Sequence, residues 1–352
     1  MVFKYLVIVA VSCLLAVGIS HRLAAAQEPQ RLTRVATPDE QFIYASSGGY
    51  AVETSLDLWR DGSRARDVPV KLYSPAIDAT VTAPTKFPVI LFSHGLGGTR
   101  EGGARWATHW ASHGFVVVAL QHAGSDEALW KGAAPREIAN RMKAGVTVAN
   151  LASRVGDVHF VIDEVIRRTT SGEKAFTQAD PTRIGMSGHS FGAQTTFAVG
   201  GQKSPVTDLQ SGLDARITSA IAFSPNARNK SKLSSQFGDI NLPVFSITGS
   251  ADGSILGDGT LPEHRRLPFE NMPTGQKYLA VFNEGDHMVF GGHGFSARRP
   301  ETARDKKIQI DVMSGTLAFW NSTLKQDARA RRWLEQGGFK ATLGDTDIFD
   351  QK

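Results

Sequence analysis

A serine between two glycines is the first group in this sequence that could act as a nucleophile. The pentad GHSFG (188–192) fits the pattern G-x-S-x-G, in which a serine occupies a sharp turn between a strand and a helix. The glycines are needed because side chains at those positions would collide with the neighbouring strand and helix. A β-like run precedes Ser190 and a helix-compatible run follows it, so we expect Ser190 to be a nucleophile. Ser187 is the nearest competitor, but it lies within the predicted strand and lacks the two-glycine frame.

A serine hydroxyl needs a base to take its proton, and the base needs an acid to orient it. In folds that carry this turn, the three groups follow in the order Ser, Asp or Glu, His, with the last two after late strands of the sheet. Asp252 follows the seventh predicted strand and His287 follows the eighth. We therefore predict Asp252 as the acid and His287 as the base. Asp258 and Asp286 remain alternatives for the acid, and His293 is the reserve candidate for the base.

The negative oxygen that forms when a serine attacks a carbonyl needs two hydrogen-bond donors. One is the backbone N–H of the residue after the nucleophile, here Phe191, and the other comes from the loop after the third strand. That loop has the glycine-rich sequence SHGLGG (93–98). Each donor stabilises the transition state by about 2.7–4 kcal/mol. The candidates to line an acyl pocket are Leu96, Trp130, Phe191, Phe290 and Phe295.

The elements that must position these groups alternate between strands and helices. Strands are predicted over 50–59, 67–75, 87–95, 115–122, 183–188, 217–225, 242–250 and 277–285, and helical segments over 100–114, 134–169 and 308–324. Near-continuous Val, Ile and Leu in several strands indicates a sheet buried on both faces. The sequence therefore predicts an α/β-hydrolase fold with a mostly parallel eight-stranded sheet and helices on both faces. Only residues 226–241 separate the sixth and seventh strands, so no large lid is expected.

The N-terminal residues have the pattern of a targeting segment. A basic start, an apolar run from Tyr5 to Ile19 and an Ala-x-Ala site before Gln27 are typical of a signal peptide. We predict a signal peptide over 1–26, a flexible lead-in over 27–48 and a single domain over 49–352, with export to the periplasm or the extracellular space. An uncleaved membrane anchor is the alternative. The one cysteine, Cys13, lies inside the apolar run, so no disulfide is expected in the exported chain.

The charge pattern limits the classes of partner. The net charge of the whole chain is +5, and its basic residues are scattered rather than gathered into a stripe. A nucleic-acid partner is therefore not predicted. The stretch DGSILGDG departs from the spacing of a calcium loop, so no metal is predicted, and no cofactor is expected.

Four motifs together resemble a known group of enzymes. LFSHGLGGTR, GHSFGA, ITGSAD and GDHMVFGG are similar to the platelet-activating factor acetylhydrolases of the plasma type and to the related bacterial predicted dienelactone hydrolases, over about residues 65–325. The resemblance implies that the residue after His-Gly, Leu96, supplies the second oxyanion donor, and that Ser190, Asp252 and His287 form the triad. True dienelactone hydrolases use a cysteine nucleophile, so that name does not indicate the substrate. Secreted polyester-cleaving hydrolases of the cutinase type are also similar.

These observations predict a secreted serine ester hydrolase that acts on short-chain acyl esters or polymer-type esters through an acyl-enzyme. Ser190 attacks the carbonyl, His287 moves the proton, Asp252 orients His287, and the amides of Leu96 and Phe191 bind the oxyanion. An amide or peptide hydrolase would use the same groups. A non-catalytic binding protein with this fold is a further alternative.

Overall fold

A computed structural model of the chain describes residues 43–77, 86–203, 212–227, 232–292 and 300–352. Within them, one sheet contains β1 (Val52–Asp61), β2 (Arg66–Pro75), β3 (Phe87–Ser93), β4 (Val116–Leu120), β5 (Ala179–His189), β6 (Ile217–Phe223), β7 (Val244–Ala251), β8 (Lys277–Asp286) and β9 (Ile348–Gln351). Their order across the sheet is β1-β2-β4-β3-β5-β6-β7-β8-β9. The predicted signal peptide, most of the lead-in, His293 and Phe295 lie outside the described residues.

The interior of the sheet is parallel and its edges are antiparallel. Strands β4, β3, β5, β6, β7 and β8 pair in parallel, whereas β1 with β2, β2 with β4, and β8 with β9 pair in antiparallel fashion. This confirms the predicted α/β-hydrolase fold. The strand count was wrong by one, because the prediction ended at the helix over 308–324. The missed strand, β9, has four residues and pairs with β8, where Phe349 is buried.

The central strands bury both faces, as their apolar sequences predict. Every residue of β3 is buried, and the side chains alternate between two cores. Ile90 and Phe92 pack with tryptophans from one layer of helices, while Val89 and Leu91 pack with valines from the other. A strand has a side-chain period of two, so a run of apolar residues supplies both cores at once.

The helices cover both faces of this sheet. Those of five or more residues are α1 (Ala104–Ser112), α2 (Pro135–Ala144), α3 (Val148–Thr170), α4 (Phe191–Val199), α5 (Leu233–Phe237), α6 (Leu267–Asn271), α7 (Ala303–Leu324) and α8 (Ala328–Glu335). The predicted helical segment over 134–169 is two helices. It is broken at Gly145, and α3 restarts where the Thr147 side chain accepts the N–H of Asn150. A threonine N-cap of this kind supplies one of the acceptors that a new helix needs.

The helix predicted over 308–324 differs from expectation. It begins earlier, at Ala303, where Thr302 and Asp305 form a reciprocal capping box. Its buried positions include polar residues such as Gln309 and Thr316 along with Ile308 and Trp320. The sheet covers one side of α7, and the missed helix α8 packs on it as well.

The chain order brings the predicted chemical groups to one edge. Parallel strands end at the same edge, and ligands in open α/β sheets bind outside the carboxyl ends of the strands. Ser190, Asp252 and His287 follow β5, β7 and β8 directly, and the SHGLGG loop follows β3. Among the described residues, no helix is both long and apolar enough to cross a membrane.

Candidate active site

Ser190 is held in a strained turn between β5 and α4. Its backbone has φ 58° and ψ −112°, and its N–H donates to the Phe223 carbonyl at 2.9 Å. A positive φ is uncommon for a residue with a side chain and marks a position that the surrounding structure imposes. A Cβ on Gly188 would lie 2.4 Å from the Gly192 carbonyl oxygen, and one on Gly192 would lie 1.9 Å from that of Ser93. The close approach of backbone therefore requires both glycines of the pentad.

His287 and Asp252 meet at the carboxyl edge. The Nδ1 of His287 lies 2.7 Å from Oδ1 of Asp252, and both side chains are buried. The other carboxylate oxygen accepts the hydroxyl of Thr248 at 2.8 Å. The Nε2 of His287 is buried and has no hydrogen-bond partner among the described residues. An imidazole held at Nδ1 with Nε2 left open is arranged to accept a proton from a third group.

The two alternative acids, Asp258 and Asp286, have other hydrogen-bond partners than Asp252. Asp258 is exposed and accepts the N–H of Thr260 at 3.1 Å. Asp286 accepts the N–H groups of Met288 and Val289, both at 3.0 Å, and so closes the turn beside His287. The rival nucleophile, Ser187, is buried and donates its hydroxyl to the Leu91 carbonyl.

A buried arginine that the sequence did not reveal supports this pair. Arg265 lies 2.9 Å from Oδ1 of Asp252, and its Nη2 lies 3.1 Å from Nδ1 of His287. Burial raises the pKa of Asp252, but the hydrogen bond from His287 and the charges of His287 and Arg265 outweigh it, so the pKa of this carboxyl is below its usual value. Asp252 is therefore ionised at neutral pH. Arg265 ends a single short 3-10 helix, Pro262–Arg265, which is too short to show a periodic pattern, so no sequence signal pointed to it.

The predicted oxyanion donors flank Ser190. A Cβ on Gly95 would lie 3.5 Å from the Cβ of Ser190, which shows how closely the SHGLGG loop approaches the nucleophile. Phe191 is the first residue of α4, so its N–H lies at the positive end of that helix. No acceptor among the described residues takes the N–H of Leu96 or that of Phe191. Both donors are thus available to a negative oxygen.

Two predicted pocket residues lie elsewhere. Phe290 is fully buried and packs against Phe282 in the core. Trp130 is 41% exposed and donates its indole N–H to the Gly97 carbonyl at 2.7 Å. Trp130 therefore packs on the outside of the SHGLGG loop. Neither side chain lines the pocket beside Ser190.

The pocket itself is small and has walls of mixed polarity. It encloses about 40 Å³. Its lining consists of Ser190 and His287 together with Leu96, Val146, Phe191, Gln194, Asn226, Ser254, Ile255, Leu256, Asp258, Thr260 and Arg265. Much of the wall comes from the segment after β7, which also carries Asp252. No group of three or more potential metal-ligating side chains occurs in the described part of the chain.

Comparison with known proteins supports the fold and a coarse activity. Residues 67–143 match the family model of platelet-activating factor acetylhydrolase, isoform II. This partial match supports a similarity to the platelet-activating factor acetylhydrolase-like α/β-hydrolases, a family that implies hydrolase activity of the ester type. The matched region contains the SHGLGG loop, whereas Ser190, Asp252 and His287 follow it in the chain. A search of curated proteins found no match.

Proposed function

We propose that this protein is an exported serine carboxylic-ester hydrolase that works through an acyl-enzyme. One observation carries the proposal. His287 is held at Nδ1 by Asp252, keeps a buried Nε2 without a partner among the described residues, and lines the same pocket as Ser190. An imidazole held in this way leaves Nε2 as the nitrogen that can take the proton of Ser190.

In the proposed reaction, the hydroxyl of Ser190 attacks the ester carbonyl and His287 takes its proton. The N–H groups of Leu96 and Phe191 stabilise the negative oxygen of the tetrahedral intermediate. The intermediate collapses when the alcohol leaves with the proton from His287. Water then attacks the acyl-serine, gives a proton to His287, and releases the carboxylic acid as Ser190 recovers its hydrogen. The negative Asp252 stabilises the imidazolium that forms twice in this cycle.

The pocket supports a short acyl group or the chain end of a larger ester. Its volume of about 40 Å³ leaves little room for a long chain. Leu96, Val146 and Phe191 offer apolar contacts to the acyl carbons, whereas Gln194 and Asn226 offer polar contacts to an alcohol portion. Small ester substrates and polymeric ester ends are the partners that fit this description.

Initial rates on p-nitrophenyl esters of increasing acyl length test the proposal. The wild-type protein should hydrolyse the acetate and butyrate fastest, and Ser190→Ala should lower kcat by at least about 10⁴-fold, because no nucleophile remains. Circular dichroism of the variant controls for folding. Retention of activity by Ser190→Ala would reject the mechanism. Wild-type inactivity on all esters, with cleavage of p-nitroanilides, would indicate an amide hydrolase, and inactivity on both would indicate a binding protein.

Export is proposed from the N-terminal sequence pattern alone. Signal-peptide cleavage near Ala26 would leave a mature chain that begins at about Gln27. N-terminal sequencing of protein recovered outside the cytoplasm tests this. An intact Met1 on membrane-bound protein would instead support the uncleaved anchor.

A further inference from the structure

A fully buried arginine lies beneath the predicted oxyanion donors. Arg154, on α3, has no exposed surface. Its Nε donates to the Thr195 hydroxyl at 2.9 Å and its Nη1 to that of Ser125 at 2.8 Å. Its Nη2 donates to the Ser93 hydroxyl at 3.1 Å and to the His94 carbonyl. Every nitrogen of this guanidinium is therefore engaged, which is what a buried cation requires.

These contacts reach both predicted donors. On the α4 side, the Thr195 hydroxyl that accepts from Arg154 donates to the Phe191 carbonyl at 3.0 Å, and the guanidinium lies 4.6 Å from the Phe191 ring centroid. On the loop side, Ser125 binds Arg154 with its hydroxyl and accepts the N–H of Gly97 with its carbonyl at 2.8 Å. One side chain thus links the segment of Phe191 to the segment of Leu96.

The loop segment is oriented further by the imidazole of His94. The backbone N–H of His122 donates to Nε2 of His94 at 3.0 Å, so the proton of a neutral His94 ring lies on Nδ1. That Nδ1–H donates to the carbonyl of Gly95. The Gly95 carbonyl and the Leu96 N–H belong to one trans peptide, in which they point in opposite directions. Fixing the carbonyl therefore fixes the direction of the Leu96 N–H.

A hydrogen-bonded chain keeps this buried charge in place. The Ser93 hydroxyl lies 2.9 Å from Nε2 of His122, whose Nδ1 lies 2.9 Å from the carboxylate of Asp157. Burial lowers the pKa of Arg154 to about 9, against the raising effect of the Asp157 charge. Arg154 remains protonated at neutral pH. All three members of the serine–histidine–aspartate chain are buried, so it is closed to substrate.

We propose that Arg154 is a positioning residue for ester hydrolysis, which holds the N–H groups of Leu96 and Phe191 at the spacing that the oxyanion needs. The proposal rests on the proposed function. Arg154 touches neither substrate nor Ser190 and acts through Ser125, Thr195 and the His94 carbonyl. Such a residue affects the transition state more than substrate binding, because the oxyanion forms only after attack.

Arg154→Lys and Arg154→Met test this role, with Arg168→Lys and Arg168→Met as matched controls. Arg168 lies on the same helix and also stacks on a ring, that of Trp59 at 4.5 Å, but it pairs with Glu164 and Glu173 rather than with the loop. Rates are normalised to sites titrated with a fluorophosphonate. We expect kcat on p-nitrophenyl acetate to fall by about 10²-fold in both Arg154 variants, with KM within about twofold, since misplaced donors weaken only the transition state. The Arg168 variants should retain wild-type kcat.

A trifluoromethyl ketone, which forms a tetrahedral oxyanion adduct with an active serine, gives the second readout. Its Ki should rise in the Arg154 variants by the same factor as kcat falls. Unchanged kcat and Ki at full titration stoichiometry would overturn the proposal. So would a loss of rate that merely follows a loss of titratable sites, because that would be a folding effect.

If neither Arg154 variant folds, two less disruptive variants test the same positioning role. Thr195→Val removes the link to α4, and Ser125→Ala removes the side-chain link to the loop. Each should lower kcat by about tenfold and raise the ketone Ki in parallel, as expected for one weakened donor. No change in either variant would reject the positioning role. A wild-type protein that neither titrates nor hydrolyses esters would reject the proposed function itself, whereas an active wild type with unaffected variants rejects only the role of Arg154.

Discussion

At the scale of single residues, the site depends on a buried carboxylate that stays charged. Asp252 has no exposed surface, yet its contacts with His287, Thr248 and Arg265 keep its pKa below the usual value. A neutral acid in that place would not stabilise an imidazolium. Asp258 and Asp286 have different contacts, and the three carboxylates can be compared by the same substitution.

Asp252→Asn should lower kcat by about 10³–10⁴-fold, because an amide can donate to Nδ1 and leave His287 in the wrong tautomer. Asp286→Asn keeps an oxygen for the N–H groups of Met288 and Val289, so its kcat should stay within about fivefold of wild type, since only the turn is touched. Asp258→Asn, on the pocket wall, should change KM rather than kcat. The measurement is steady-state kinetics on p-nitrophenyl acetate for all three. A larger kcat loss in either control than in Asp252→Asn would reassign the acid.

At the scale of elements, the turn after β5 and the segment after β7 have different physical origins. The turn can be predicted from the sequence, because backbone atoms approach Gly188 and Gly192 so closely that only glycine fits at either position. The pocket wall after β7 cannot be predicted in this way, because Ser254, Ile255 and Thr260 follow no periodic pattern in the sequence. The break between α2 and α3 follows from the N-cap at Thr147, whose side chain accepts the N–H of Asn150 where the second helix begins.

At the scale of the whole molecule, buried ionisable groups couple stability to pH. Burial lowers the pKa of His109 to about 4, with the neighbouring His113 acting in the same direction, and burial with the charge of Arg154 lowers that of His122 to about 4. Burial raises the pKa of Asp311 to about 6 despite its contact with Lys307. The histidines must be neutral in the folded protein, whereas Asp311 holds a proton more tightly when folded.

We expect the free energy of unfolding to decrease as the pH falls from 6.5 toward 4. In that window the unfolded chain binds protons at His109 and His122 that the folded protein does not, at a cost of up to about 3 kcal/mol for each histidine. Protonation of Asp311 stabilises the folded protein as the pH falls, but the destabilising effect of the two histidines is larger. Urea unfolding at pH 7.5 and pH 5 measures the difference.

Two variants test the assignment of this pH dependence. His109→Gln, which can still donate to the Tyr44 carbonyl, should reduce the loss of stability at pH 5. Asp311→Asn should increase it, because the opposing group is removed. An unfolding free energy of Asp311→Asn that is the same at both pH values would show that neither histidine is held neutral.

The sequence by itself determined the fold class and the order of the chemical groups along the chain. Apolar strands and the glycine-framed serine express local rules, namely a period of two and backbone contact too close for a side chain. Only the tertiary structure decided that Phe290 lies in the core, that β9 completes the sheet, and that Arg154 and Arg265 lie buried beside the site. Each of these depends on contacts between residues distant in sequence, and charged side chains can be buried only where such contacts satisfy them. A local sequence pattern therefore cannot predict which charged side chains are buried.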